Sequence, residues 1–322
     1  MNYSQLVSRI LALSSGFMAS RIFLTALELN LFRQLGDQKL TSVQIADQLH
    51  TDPRATEIIL NALVSMDVLG KNDNVYANLE EARDTLIPGD AGLSFVHPLL
   101  LWDIWSNLTE MVKTGEPAGL QWSDIQKREL AFYMKHYATE RSETLVKMIN
   151  TSDIRRMLDL GGGCGLYAIA FARRNPDMEI LLLDYDEEAL GIAREEIARE
   201  DLQTRIHLTR KDFFQDDIGG DYDLILLASI LCLFGEQQNT FLLSKAKDAL
   251  KDGGSVVILD RMLDESKTKP LSSALFSVNM LTMTQNGRAY SFSEVKTWLS
   301  SLGFRDIQRF PLGNAQALRG KK

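Results

Sequence analysis

The stretch Asp159-Leu160-Gly161-Gly162-Gly163-Cys164-Gly165 decides the fold. It follows Ile154-Arg155-Arg156-Met157-Leu158, which predicts a short strand entering a buried sheet, and precedes 166–174, which predicts a helix. A strand, a glycine turn and a helix gather free backbone N–H groups and the positive end of a helix dipole at one point. Glycine is needed there because a Cβ would hold a ligand away from the backbone. The next apolar run, Ile180-Leu181-Leu182-Leu183, ends in Asp184. That acid lies about 20 residues past the last glycine, where a carboxylate can take the two hydroxyls of a ribose. This half of the chain is expected to bind an adenosine-type cofactor.

Two cofactor classes fit the glycines. Gly163-Cys164-Gly165-Leu166-Tyr167-Ala168 satisfies the dinucleotide pattern G-x-G-x-x-A, so a nicotinamide enzyme is one reading. The frame two residues earlier is Asp-x-Gly-x-Gly-x-Gly. An acid at Asp159 would repel a pyrophosphate but suits a ligand carrying an ammonium and a sulfonium. A glycine-rich turn with no ligand is the bland alternative; three alternating glycines with a correctly spaced acid argue against it.

On these residues the chain resembles the class I S-adenosylmethionine-dependent methyltransferases. More narrowly, it is similar to the small-molecule O-methyltransferases related to plant caffeate and acetylserotonin enzymes, over nearly its whole length. Asp159, Gly161, Gly163 and Gly165 match the family's first motif, and Asp184 its ribose acid. Lys211-Asp212-Phe213-Phe214 resembles the segment that holds the adenine. Ser229 and Tyr133 join the cofactor-binding candidates. Asp252-Gly253-Gly254 before 255–260 looks like the family's turn and fifth strand, and Ser300-Ser301-Leu302-Gly303-Phe304 like the end of its last helix. The resemblance implies an α/β, Rossmann-like doubly wound sheet behind a mainly helical winged-helix dimerisation domain. It further implies S-adenosylmethionine as cofactor, a small aromatic or conjugated acceptor, and a homodimer. The expected division is a winged-helix domain at 1–90, a helical linker lining the substrate pocket at 91–145, and the cofactor-binding domain at 146–322. Trp102, Trp105, Met134, Phe276, Met280 and Met283 are the pocket candidates; for any one of them, plain core packing is the competing reading.

The bulk properties agree. The chain has 322 residues, 45% hydrophobic and 24% charged, as in an ordinary globular protein. A formal charge of −8 argues against nucleic acid or an anionic membrane as main partner. Of the two cysteines, Cys164 lies in the glycine loop, so a structural disulfide is not expected and a reducing cytoplasm is. Arg9 interrupts the first apolar segment with no cleavage-site pattern behind it, and no uncharged run reaches the length of a membrane span. No residues group as a metal site.

Leu6, Ile10, Leu13, Phe17, Leu24, Leu27 and Leu31 predict one or two amphipathic helices. Residues 40–49 predict a capped helix, Thr51-Asp52-Pro53 caps another, and Asn72-Asp73-Asn74 signals a hairpin. Helix, turn, helix, hairpin is a winged-helix pattern and raises a DNA-binding regulator as a rival. Between Asp37 and Asp84 there are nine acids against four bases, a net of −5, which DNA binding does not tolerate. From Ile154 onward strands alternate with helices: 154–159, 179–184, 206–209, 223–228 and 255–260, with a closing hairpin at 305–310 and 316–318.

The catalytic segment departs from the family. There a His followed by an Asp-Trp pair stands after the fourth strand; here the segment is Ser229-Ile230-Leu231-Cys232-Leu233-Phe234-Gly235-Glu236, and Cys232 occupies the place of the base. A thiol between leucines has a raised pKa and reads as a packing group. Asp260 matches the acid that orients the base, while Ala289 stands where a second acid is expected. Three explanations stay open: an acceptor that is already ionised, a carbon or other nucleophile needing no base, or a base from elsewhere. Of the four histidines, His97 and His136 lie in the pocket-lining region and are the candidates. A protein of this fold that binds the cofactor but has lost or changed methyl transfer is the remaining rival.

Overall fold

In the N-terminal part of the chain, residues with good caps and apolar spacing form short helices around a small antiparallel sheet. The computed structural model describes residues 2–80, 86–87, 96–117, 119 and 123–322; the side chains of 96, 97 and 125 also lie outside the description. The described chain separates into two units, Met1–Trp102 and Asp103–Lys322, so the expected linker, 91–145, is shared between them.

The first unit opens with the helices Tyr3–Ser15 and Phe17–Glu28, followed by Leu31–Leu35, Ser42–Leu49 and Pro53–Ser65. Thr41 and Asp52 cap the last two by accepting from Gln44 N and Ala55 N, as the sequence predicts. Three strands, β1 (Leu40–Thr41), β2 (Leu69–Asn72) and β3 (Val75–Asn78), pair antiparallel in the order β1-β3-β2, and the predicted Asn72–Asn74 turn joins β2 to β3. Leu31, Phe32, Leu35, Ile45, Leu60, Leu63 and Tyr76 make the core. The first helix buries none of its residues. By length and composition alone, the 26-residue segment Tyr3–Glu28 is apolar enough to cross a membrane, with an 18-residue window of mean hydropathy 1.6. Arg9 and Arg21 interrupt this segment, so it holds no uncharged run of that length.

The second unit is built on seven strands. They are β4 (Arg156–Leu160), β5 (Glu179–Asp184), β6 (Ile206–Arg210), β7 (Tyr222–Ala228), β8 (Leu250–Asp260), β9 (Arg305–Leu312) and β10 (Ala315–Lys321), in the order β6-β5-β4-β7-β8-β10-β9. The first five are parallel and the last two form an antiparallel hairpin on β8. Apolar runs such as 180–183 and 224–227 become inner strands because helices cover both faces. Met157, Leu182, Leu224 and Val257 pack on one face; Leu158, Leu183, Ile225 and Ile258 pack on the other. The strand order reverses between β4 and β7, which opens a crevice at their carboxyl ends.

Candidate active site

At that crevice the glycine loop leaves β4 and turns into the helix Leu166–Arg174. Gly161, Gly163 and Gly165 have φ of +72°, +53° and +78°, the left-handed region that glycine enters without strain. Their surroundings differ. A Cβ on Gly161 would stand 2.3 Å from Ile230 Cδ1, so the Ile230 side chain would have to move aside. A Cβ on Gly163 would meet nothing within 4 Å, so this glycine faces open space, where a ligand can lie against the backbone. Cys164 ties the loop to the long helix Asp124–Met148 by donating its thiol to Ala131 O at 3.2 Å, and burial pushes that thiol up to about 12.

Asp184, at the end of β5, accepts Gly163 N–H on Oδ2 at 2.8 Å and Asp186 N–H on Oδ1 at 3.0 Å. These bonds fix the carboxylate beside the loop. Burial raises its pKa, and the backbone donors offset part of that. Lys211 N–H donates to Asp184 O at 2.9 Å, which brings the 211–214 segment to the same end of the sheet. Asp212 is held by Phe214 N–H and Gln215 Nε2, both at 2.8 Å. Phe213 is buried beside Gly161 and Ile230, edge-on to Phe234 at 5.9 Å. The glycine loop, Asp184 and the 211–214 segment are therefore adjacent, and an open backbone at Gly163 with a carboxylate beside it fits the adenosine portion of S-adenosylmethionine.

Asp159 lies elsewhere than the loop surface. It is fully buried beneath Gly162, whose Cβ, if present, would stand 2.9 Å from the carboxylate. Neither oxygen has a hydrogen-bond partner of normal geometry. Burial lifts its pKa to about 7, with the charge of Asp184 adding to the lift and the Ala168 N–H offsetting part of it. Asp159 thus sits under the loop rather than on its ligand face.

Across the crevice β7 is followed by Ser229, whose φ is +59° and whose N–H donates to Leu259 O at 2.7 Å. A single 3-10 turn, Leu231–Leu233, follows and is pinned by Asn239 Nδ2, which donates to Leu231 O and Phe234 O. Cys232 is buried in this turn. Its N–H donates to Asp260 Oδ2 at 3.1 Å, and its thiol lies 3.5 Å from Ser229 O. Burial and then the Asp260 charge push the thiol far above its ordinary range. Asp260 Oδ1 accepts Arg261 N–H at 2.9 Å, so both carboxylate oxygens serve the backbone. Gly287 packs against Cys232 O, and the adjacent Ala289 is buried and hydrogen-bonded through its N–H to Ser277 Oγ.

The remaining candidates divide. Met134, Tyr137 and Arg141 of the long helix line one cleft with Gly161–Gly165 and Ser229. Tyr133 reaches it through Tyr137, donating Oη to Oη at 3.1 Å. His136 is exposed and sits with Glu140 and Thr144 in a surface depression that shares Tyr137 and Arg141 with the cleft but includes none of the loop glycines. The side chain of His97 lies outside the described residues. Trp105 Nε1 donates to Asn279 Oδ1 at 3.1 Å, and Asn279 Nδ2 approaches Met283 Sδ at 3.4 Å. Phe276 packs under the Arg261 guanidinium at 4.8 Å, and Met280 is buried. Trp102 falls in the first unit, with Arg21 5.5 Å above its ring. Among the described residues no group of His, Cys, Asp and Glu could hold a metal. Tyr137, Arg141 and Arg261 were not singled out from the sequence. The only signal was Tyr133, Tyr137 and Arg141 at intervals of four, one helical face.

Comparisons with known proteins agree with this geometry. Residues 109–305 match the model of the O-methyltransferase domain, and residues 11–86 that of the O-methyltransferase dimerisation domain. The 3-hydroxy-5-methyl-1-naphthoate 3-O-methyltransferase of Streptomyces sahachiroi is 29% identical over 92% of this chain and 89% of its own. The L-tyrosine C(3)-methyltransferase of Streptomyces lavendulae is 28% identical over 87% and 81%. The crystal structure of human N-acetylserotonin methyltransferase in complex with S-adenosylmethionine shares the fold at a TM-score of 0.86, with 24% identity over 100% of this chain and 99% of that one. With a domain model covering more than half of its length, the chain belongs to the O-methyltransferase family and is an S-adenosylmethionine-dependent methyltransferase.

Proposed function

We propose that the enzyme methylates a small aromatic or conjugated acceptor whose nucleophile needs no general base. The acceptor atom is either an acidic heteroatom, ionised near neutral pH, or a carbon. The observation that carries this reading is the 3-10 turn after β7. The side chain there is the buried Cys232 thiol, and Asp260 behind it accepts a backbone N–H on each oxygen. A base at that place would contribute about 10²–10⁴ in rate, and an acceptor that is already anionic forgoes nothing by its absence.

S-adenosylmethionine supplies an electrophilic methyl group on a sulfonium. The chain's part is to bind, align and exclude water. Gly161, Gly163 and Gly165 would offer backbone to the cofactor, Asp184 would take the ribose, and Asp212 and Phe213 the adenine. Ser229, Tyr133 and Met134 would close the cleft. Asp260 would hold the turn in shape rather than orient a base. The relatives named above act, by their names, on a hydroxynaphthoate at oxygen and on tyrosine at carbon, which supports an aromatic acceptor and leaves both atoms in play.

The first unit is read as a winged-helix dimerisation module that binds neither nucleic acid nor membrane. Its acidic balance and the chain's net charge of −8 support this, and two buried free thiols suit a cytoplasmic protein. The test is methyl transfer from labelled S-adenosylmethionine to matched acidic phenols and aliphatic alcohols, with calorimetry of S-adenosylhomocysteine and NAD alongside. Transfer to the phenols is expected, with binding of S-adenosylhomocysteine and not of NAD. Faster transfer to alcohols would overturn the reading of the nucleophile. Tight S-adenosylhomocysteine binding with no transfer to any acceptor would favour a protein that kept the cofactor site and changed its chemistry.

A further inference from the structure

Two guanidinium groups approach the ring of one tyrosine next to the cofactor cleft. Arg141 lies 5.4 Å from the Tyr137 ring centroid, and Arg261, from the residue after β8, lies 5.3 Å from the same centroid. Arg261 is also 4.8 Å from the Phe276 ring. Arg141 donates to Asn314 Oδ1 at 2.6 Å, a neutral acceptor. Among the described residues neither guanidinium has a carboxylate within ion-pair distance. The acid beside them, Asp260, acts on Arg141 through its field, but its two oxygens accept the N–H groups of Cys232 and Arg261. Burial and the charge of Arg261 lower the pKa of Arg141, so the two cations sense each other. Two like charges half withdrawn from water, without an anion between them, are unfavourable in the free protein. Elsewhere in this unit, half-buried cations find acids: Lys135 pairs with Glu196 and Arg288 with Glu294.

We propose that Arg141 and Arg261 receive a carboxylate carried by the methyl acceptor, so that the natural substrates are aromatic acids. This rests on the methyltransferase reading above and adds the substrate class to it. A planar carboxylate matches the planar fork of a guanidinium better than other anions of its size. The Tyr137 and Phe276 rings beside the pair make surroundings that suit the aromatic body to which it is attached. The amino-acid carboxylate of the cofactor has the same chemistry, and Arg141 does line the glycine-loop cleft. Arg261 and Phe276 are not among the residues that line it. Phe276 lies instead on the helix Leu271–Met283, whose Asn279 holds Trp105. The pair therefore reaches from the cofactor side toward the aromatic side.

The test uses the full chain saturated with S-adenosylhomocysteine and two probes of equal size, 2-naphthoate and 2-naphthamide, which differ in charge. Calorimetry should show the naphthoate binding at least tenfold more tightly. Arg261→Gln should bring the ratio to within about twofold of one, Arg261→Lys should keep part of it, and both variants should bind S-adenosylhomocysteine within about twofold of the parent chain, which also reports that they fold. Equal binding of the two probes by the parent chain would overturn the proposal while leaving the methyltransferase reading intact. A tenfold loss of S-adenosylhomocysteine affinity in Arg261→Lys and Arg261→Gln alike would assign the pair to the cofactor's carboxylate and overturn it as well. No S-adenosylhomocysteine binding by the parent chain would instead remove the reading on which it rests.

Discussion

Cys232 gives its backbone N–H, at 3.1 Å, to the acid beside it, while its thiol is turned to the Ser229 carbonyl at 3.5 Å. A thiol raised by burial and by a neighbouring carboxylate has almost no thiolate at neutral pH. Cys232→Ala is therefore expected to keep most of the activity and to leave the pH–rate profile unchanged. A loss of about a thousandfold, with a profile reporting a thiol, would establish a thiolate base. Asp159 is a different case of the same burial. Its carboxyl moves from 3.8 to about 7 on folding. Between those values the unfolded chain has lost a proton that the folded chain keeps, so stability falls as pH rises through this window and is flat on either side. Three units correspond to roughly 4 kcal/mol at most. Asp159→Asn should thus gain stability relative to the parent as pH goes from 4 to 8, by up to about that amount. Denaturant melts of both chains at a series of pH values check this; a difference that does not vary with pH would show that Asp159 ionises normally in the folded state.

In the glycine loop, neighbouring residues have separate duties that the sequence pattern presents as equivalent. Gly161→Ala would drive a Cβ into the Ile230 side chain at a left-handed φ of +72° and is expected to shift Ile230 and cost more stability than the same change at Gly163. Gly163→Ala has space and suffers only from a left-handed φ of +53°, a penalty of roughly 1–2 kcal/mol. It should fold, melt a few degrees lower and lose S-adenosylhomocysteine binding by tenfold or more. Normal binding by Gly163→Ala would mean that the cofactor does not lie against this backbone. The strands show the same limit on what local pattern can tell. The strand at 179–184 was legible because a continuous apolar run ending in a polar residue means a parallel strand covered on both faces. The β8 strand begins at Leu250, ahead of the expected Ser255, because Leu250 pairs with Tyr222 before an irregularity at the Asp252–Gly254 turn. That pairing is made by a partner remote in sequence and leaves no periodicity to read. The three segments of the candidate cofactor site, the loop, Asp184 and Lys211–Phe214, each carry a local motif, and the structure brings them to one end of the sheet. Arg141 and Arg261 come from a helix and a strand end far apart in the chain, and only the fold puts them on one ring.

For the whole molecule the open question is what covers the first helix. Leu6, Ile10, Leu13 and Phe17 are 43%, 55%, 74% and 55% exposed, and no residue of Tyr3–Ser15 is buried. A second copy of the chain and a bilayer are the two surfaces that could take such a face. A spanning helix here would place Arg9 and Arg21 toward hydrocarbon at roughly 2.5–3.5 kcal/mol each near its centre. Arg21 moreover holds Glu28 through two hydrogen bonds of 3.0 and 2.8 Å, an arrangement made for water rather than lipid. The dimerisation-domain match includes Leu13 and Phe17. A homodimer is therefore expected at micromolar concentration, with an interface above about 2,000 Å², the class in which protomers are not stable apart. Because dissociation and unfolding are then linked, Tm should rise with protein concentration. Leu13→Glu/Phe17→Glu, which removes the apolar face without touching the described core of the unit, should halve the mass seen by light scattering and abolish that concentration dependence. The parent chain should not sediment with anionic vesicles. A parent chain that scatters as a stable monomer would sink the dimer, and a monomer that also sediments with vesicles would assign the face to lipid.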